Sequence, residues 1–177
     1  MSITNVEIKA RCSDPGKFRN ILKSENADFK GIDCQTDAYF KVPRGRLKLR
    51  EGNIENSLIF YNRPDTAGPK QADVCFCQLK PGSGLKEVLI NALDVLVTVS
   101  KKREIYLIGN IKFHIDTVQH LGSFIEIEAI DATGQIGRDK LLVQCQQYME
   151  LFGIVDDDLV DCSYSDMLIE SRCNKGA

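Results

Sequence analysis

Gly45-Arg46-Leu47-Lys48-Leu49-Arg50-Glu51 and Phe124-Ile125-Glu126-Ile127-Glu128-Ala129-Ile130 alternate apolar and charged residues with a period of two. Alternate side chains of an extended strand share a face. Leu47 and Leu49 therefore turn one way and Arg46, Lys48 and Arg50 the other, while Ile125, Ile127 and Ala129 oppose Phe124, Glu126 and Glu128. The same division recurs outward. Val6 and Ile8 oppose Asn5, Glu7, Lys9 and Arg11, and Ile111, Phe113 and Ile115 oppose Lys112, His114 and Asp116. Each strand has one side to lay under helices and a charged side that goes elsewhere.

The strand-like runs are 5–11, 37–42, 46–51, 57–63, 72–80, 97–108, 112–117 and 124–130. Gly45, Gly68-Pro69, Gly109-Asn110 and Leu121-Gly122 mark turns between them. The run 97–108 is long, so a break or bulge is expected near Lys101 and Lys102. A first helix is expected from Ser13-Asp14-Pro15, carrying Phe18, Ile21 and Leu22. A second follows Pro81-Gly82-Ser83 with Leu85, Val88, Leu89 and Leu93 on one side. A third, capped by Thr133 and ended by Gly153, carries Leu141, Leu142, Cys145, Tyr148, Met149 and Phe152 as its stripe; a short helix near 165–170 follows. The fold class this predicts is α+β: one domain over 1–177, a closed or nearly closed eight-stranded antiparallel β-barrel with flanking helices.

The hydrophobic fraction of 43% and charged fraction of 27% suit a folded globular chain rather than a disordered one. A net charge of -2 argues against a protein held on duplex by a broad basic footprint. Aromatics at 7% without tryptophan argue against a single-strand-binding barrel. The seven cysteines include no Cys-x-x-Cys pair, which disfavours a zinc site or a disulfide framework and fits reduced thiols. The first residues reach a charge at Glu7 without an apolar run, so neither signal peptide nor membrane span is expected, and a cytoplasmic protein is.

Signs are segregated along the charged sides. Arg46, Lys48, Arg50, Lys101 and Arg103 are cations; Asp116, Glu126 and Glu128 are acids; Glu7 and Lys9 sit side by side. Solvent exposure is the plain reading for any single strand. If the sheet closes, however, these groups meet across a lumen, where two like charges ~4 Å apart repel by about 4 kcal/mol at an effective dielectric near 20. Grouped cations want a compact polyanion, and a carboxylate cluster made of Glu7, Glu126, Glu128 and Asp116 wants a hard divalent ion. A triphosphate with Mg2+ or Mn2+ answers both demands. His114 reads as a half-buried structural histidine, Cys75 and Cys77 as small apolar fillers, and Asp156-Asp157-Asp158 as a solvated loop or cap. Tyr39 and Tyr61 fit the lumen, the core or the rim equally.

At these residues the chain resembles the CYTH, or triphosphate tunnel metalloenzyme, superfamily, and within it the class IV adenylate cyclase-like branch. The blocks that carry the likeness are Asn5-Val6-Glu7-Ile8-Lys9, Gly45 to Glu51, Leu58 to Asp65 with Gly68-Pro69-Lys70, Val99 to Tyr106, Phe113 to Glu128, and Ser163 to Leu168. They keep order nearly from end to end. The resemblance implies a tunnel barrel with Glu7, Asp116, Glu126 and Glu128 at the metal and Lys9, Lys48, Arg50, Arg63, Lys70, Lys101 and Arg103 on the triphosphate. It also implies Glu7 and Lys9 as catalytic residues. Asn5 departs from the family's E-x-E-x-K opening, which puts a second metal position in doubt.

Two outcomes fit this constellation: conversion of ATP to cyclic AMP and pyrophosphate, which the branch favours, or hydrolysis of tripolyphosphate, thiamine triphosphate or a nucleoside triphosphate. A non-catalytic polyphosphate or nucleotide sensor is a further alternative. The expected partner is the triphosphate itself, not a membrane or nucleic acid, and a homodimer stays open.

Overall fold

The computed structural model describes residues 2–62 and 68–173. Eight strands make up its sheet: β1 (Ser2–Arg11), β2 (Asp28–Phe40), β3 (Arg46–Glu51), β4 (Ser57–Asn62), β5 (Lys70–Gln78), β6 (Val95–Ile108), β7 (Ile111–Val118) and β8 (Gly122–Asp131). They close in the order β1-β5-β4-β3-β2-β6-β7-β8, every neighbour antiparallel. β1 completes the ring by pairing β5 on one side and β8 on the other. Closure satisfies the backbone groups that an open edge would leave unpaired.

Three helices pack outside, α1 (Pro15–Ser24), α2 (Leu85–Ala92) and α3 (Arg138–Phe152), while α4 (Tyr164–Cys173) packs on inward-facing strand residues. The apolar faces read from the sequence are the ones that α1, α2 and α3 cover. Val6, Ile8, Ala10, Phe113, Ile115, Ile125 and Ile127 meet Phe18 and Leu22 of α1 and Leu141, Cys145 and Phe152 of α3. Leu85, Leu89 and the following Leu93 cover Leu47, Leu49 and Leu58. Tyr164 and Leu168 of α4 pack with Val97, Val99, Val118 and Phe124. α1 starts where expected, with the Asp14 carboxylate accepting from the N–H groups of Gly16 and Lys17. α3 ends as expected at Gly153, whose φ of 64° is the left-handed cap conformation.

Several local expectations are corrected. Thr133 does not cap α3; the helix begins at Arg138. The Asp131 carboxylate accepts first, taking the backbone N–H groups of Thr133, Gly134, Gln135, Ile136 and Gly137, so 132–137 coils round it before the helix starts. Those donors hold its pKa down to about 2, the Gly137 bond first among them. β6 runs unbroken through Lys101 and Lys102; the register shifts lie between Phe29 and Gly31 and between Tyr39 and Phe40. β2 begins nine residues before the expected start at 37, pairing β6 as far as Asp28 opposite Leu107. Val88 is exposed on α2 rather than packed, and Cys75 and Cys77 are exposed on the outer face of β5. Asp156–Asp158 forms a single exposed 3-10 turn, in keeping with a cap, since Asp158 accepts from the Val155 N–H.

Candidate functional site

The charged faces converge on a cavity of about 410 Å³ inside the barrel, and its lining divides into three sectors. β2, β3 and β6 supply Asp37, Lys48, Arg50 and Lys101. Asp37, 1% exposed, accepts from Lys101 Nζ at 2.7 Å, from Arg50 Nε and Nη2 at 2.9 and 3.0 Å, and from Lys48 Nζ at 3.3 Å. Burial would raise the Asp37 carboxyl, but Arg50, Lys101 and Lys48 override it and hold it well below the usual carboxylate range. Burial acts the other way on Lys101, which with repulsion from Arg50, Arg103 and Lys48 is pushed down to about 7 despite Asp37.

The second sector belongs to β1, β6, β7 and β8. Arg103 pairs with Asp116 at 2.7 Å and with Glu126 at 2.6 Å, and Tyr164 donates its hydroxyl to Asp116 at 2.8 Å. Lys9 lies 3.4 Å from Glu126 and 4.0 Å over the Tyr164 ring. Burial opposes ionisation of Glu126, yet Arg103, Lys9 and His114 hold its carboxyl well below the ordinary range. His114 sits 3.2 Å from Glu126 through Nδ1, and burial followed by repulsion from Arg103 lowers its pKa, so the ring is neutral with Nδ1–H donating. Glu7 and Glu128 stand directly opposite in the β1–β8 register, and Asn5 donates to Glu128 at 2.5 Å.

The third sector, from β4 and β5, is apolar: Ile59, Tyr61, Val74 and Phe76 line the cavity. A further carboxylate inside the lumen, Glu55, comes from the loop between β3 and β4. It accepts from Arg50 at 3.0 Å and pairs with Lys112. Asp33 fixes that loop by accepting from the Ile54 and Glu55 N–H groups at 2.9 Å each. Gly52 makes the approach feasible, since a Cβ there would stand 2.5 Å from Asp33 Oδ1.

Of the sequence-predicted residues, Glu7, Lys9, Lys48, Arg50, Lys101, Arg103, Glu126 and Glu128 line one cavity. Asp116 is fully buried on the same strand face, engaged by Arg103 and Tyr164 rather than standing beside Glu7 and Glu128. Arg46 pairs with Asp166 at 2.9 Å and ties α4 to the barrel. Lys70 lies in β5 opposite Glu7; Arg63 falls outside the described residues. Asp37, Glu55 and Tyr164 escaped the sequence reading, and they change the electrostatics. The cations do not wait for an external anion, because Asp37 and Glu55 are counter-ions built into the wall. His114 is buried at 3% exposure rather than half-buried as expected, and it lines the cavity. Tyr39 and Tyr61 line it as well.

Among the described residues no three or more His, Cys, Asp or Glu side chains stand ready round one ion position. Oxygen donors are nonetheless gathered where Glu7 faces Glu128, and the neighbouring Asn5 Oδ1 is buried without a hydrogen-bond partner. An oxygen-only set fits a hard ion such as Mg2+ or Mn2+. His114 Nε2 and Gln35 Oε1 are likewise buried without partners. Such orphaned polar atoms are costly in a closed protein and are expected where a ligand completes the site.

Residues 4–144 match the model of the CYTH domain family. The chain belongs to that family. Members of the CYTH family are adenylate cyclase-like or triphosphatase enzymes. No curated protein matches the chain. Among solved structures, this CYTH domain is similar to the PH1012 protein of Pyrococcus horikoshii, with a TM-score of 0.76 and 21% identity over 92% of this chain and 98% of that one. A candidate adenylate cyclase from Vibrio parahaemolyticus gives a TM-score of 0.74 at 19% identity, covering 93% of this chain and 97% of its own. A candidate adenylyl cyclase from Hippeastrum, reported with a dominant triphosphatase activity, gives 0.59 at 13% identity over 93% and 94%. Likeness at these identities establishes the shared barrel. Among the described residues, no helix is long and apolar enough to cross a membrane.

Proposed function

We propose that the barrel binds a triphosphate compound together with Mg2+ or Mn2+ and acts on its phosphoryl groups, in the leading reading as a class IV adenylate cyclase-like enzyme. The observation that carries this is the Lys48–Arg50–Lys101 group gathered on Asp37, sharing one 410 Å³ cavity with Glu7, Glu126 and Glu128. Lys48, Arg50 and Lys101 bind the phosphate chain, Lys70 and Arg63 extend that grip, and Lys9 and Arg103 stabilise charge on the departing phosphate or pyrophosphate. Glu7, Glu126 and Glu128 hold the ion, with Asp116 acting on it by fixing Arg103 against Glu126. When bound, the divalent ion neutralises charge on the phosphate oxygens. Glu7, opposite Glu128 and two residues from Lys9, is the catalytic carboxylate beside the attacking oxygen.

In the cyclase reaction the ribose 3′-oxygen bonds to the α-phosphorus and pyrophosphate leaves. Hydrolysis of the terminal phosphate by water is the second reading, and the triphosphatase activity of the Hippeastrum relative favours it. The test incubates purified protein and Mn2+ with ATP or with tripolyphosphate. Cyclic AMP from ATP selects the cyclase, orthophosphate from tripolyphosphate selects the triphosphatase, and tight binding with no product in either tube makes the protein a sensor.

A further inference from the structure

The lumen of a site for a bare phosphate chain has no use for an apolar wall, yet β4 and β5 supply one. Ile59, Val74 and Phe76 point inward with Tyr61, while their alternate neighbours Cys75 and Cys77 face out. Ile59 and Phe76 are directly opposed partners in the β4–β5 ladder. Across the next ladder Ile59 is the register partner of Lys48, one of the cations gathered on Asp37. Phe76 remains 39% exposed inside a cavity whose other walls are charged, and Ile54, from the loop that carries Glu55, is 42% exposed along the same lining. α4 reaches one end of this strip, where Ile59 and Val74 pack against the cluster that holds Tyr164 and Leu168, but Phe76 is not part of that cluster; α2 packs on the opposite, outward face of β3 and β4 through Leu47, Leu49 and Leu58.

We infer that the Ile59–Phe76 strip seats a flat organic group attached to the phosphate chain, so that the preferred ligand is an organic triphosphate rather than inorganic tripolyphosphate. The inference rests on the proposed phosphate site and adds a specificity element to it. Adjacency fixes the arrangement: a phosphate held at Lys48 leaves its substituent next to Ile59, within reach of the Phe76 ring. Stacking on an aromatic face tolerates many ring systems, so the strip selects for a planar apolar face. Ser57 and Gln78, register partners at the same ladder, supply polar groups beside it for the ring's edge.

Dissociation constants for tripolyphosphate, ATP and thiamine triphosphate, measured by calorimetry on the wild type and on Phe76→Ser and Phe76→Leu, test this. The expected result is that ATP or thiamine triphosphate binds more tightly than tripolyphosphate to the wild type. Phe76→Ser should weaken that organic ligand about ten-fold and Phe76→Leu less, while tripolyphosphate changes less than two-fold and so reports an intact fold. Tripolyphosphate binding as tightly as both organic ligands overturns the inference and leaves the phosphate site standing. So does an equal loss of all three ligands in Phe76→Ser. Failure of the wild type to bind any of the three contradicts the phosphate site and this inference together.

Discussion

Asp37 and Lys101 form an ion pair at 2.7 Å with both side chains 1% exposed. A buried pair of this kind contributes little net stability in itself, but loss of one partner strands the other. Here the stranded group is larger than one charge, because Arg50 and Lys48 share the same carboxylate. Asp37→Asn should therefore lower unfolding stability by about 3–5 kcal/mol, the range for breaking a buried pair. Tripolyphosphate should restore part of that loss, since it supplies the missing negative charge. Urea unfolding with and without ligand measures both effects.

Lys101 makes the pocket sensitive to pH. Its folded pKa of about 7 lies below its ordinary 10.5, so between those values the unfolded chain holds a proton that the folded one lacks. Stability contributed by this group therefore rises with pH across that window. Anion affinity runs oppositely: it is strongest below pH 7 and falls as the ammonium deprotonates. Binding of tripolyphosphate near pH 8 should take up protons, detectable as a buffer-dependent heat in calorimetry, and Lys101→Met should remove that uptake.

Arg50 bridges two acids, the buried Asp37 through Nε and Nη2 and the half-buried Glu55 through Nη1. A lysine keeps the charge but cannot reproduce the fork. Arg50→Lys should cut turnover of the triphosphate about 100-fold, the scale on which a single preorganised charge-stabilising donor acts. Steady-state kinetics against ATP and tripolyphosphate measure it, with far-ultraviolet circular dichroism as the check on folding.

Gly52 holds no left-handed angle; its constraint is space. A methyl group there meets Asp33 Oδ1 at 2.5 Å and the Glu55 carbonyl at 2.8 Å. Gly52→Ala should cost about 1–3 kcal/mol, as overpacking does, and should displace Glu55 from Arg50 and Lys112. Triphosphate affinity should fall with it, whereas the same change at exposed Gly82, with nothing within 4 Å of a Cβ, should leave affinity unchanged.

The barrel was legible wherever one strand face is covered and the other is charged, because burial of one face alone forces strict alternation. β3 and β8 illustrate this: Leu47 and Leu49 lie under α2, and Ile125 and Ile127 under α1 and α3. The first half of β2 was illegible for the converse reason. Residues 28–36 mix exposed Phe29 and Ile32 with buried Asp33 and Gln35, so the polar residues face inward and the apolar ones outward. That inversion concealed Asp33, and Asp37 escaped because it read as a polar strand start. Glu55 sits in a loop, where no periodicity could aim it at Arg50. Thr133 had the right residue type for a cap, but local sequence cannot weigh it against the Asp131 carboxylate beside it.

In a crystal grown with tripolyphosphate and Mn2+, phosphate oxygens should lie within hydrogen-bond distance of Lys48, Arg50 and Lys101, with an anomalous manganese peak between Glu7 and Glu128. Phosphate bound outside the barrel, or manganese held away from both carboxylates, would contradict the proposed site.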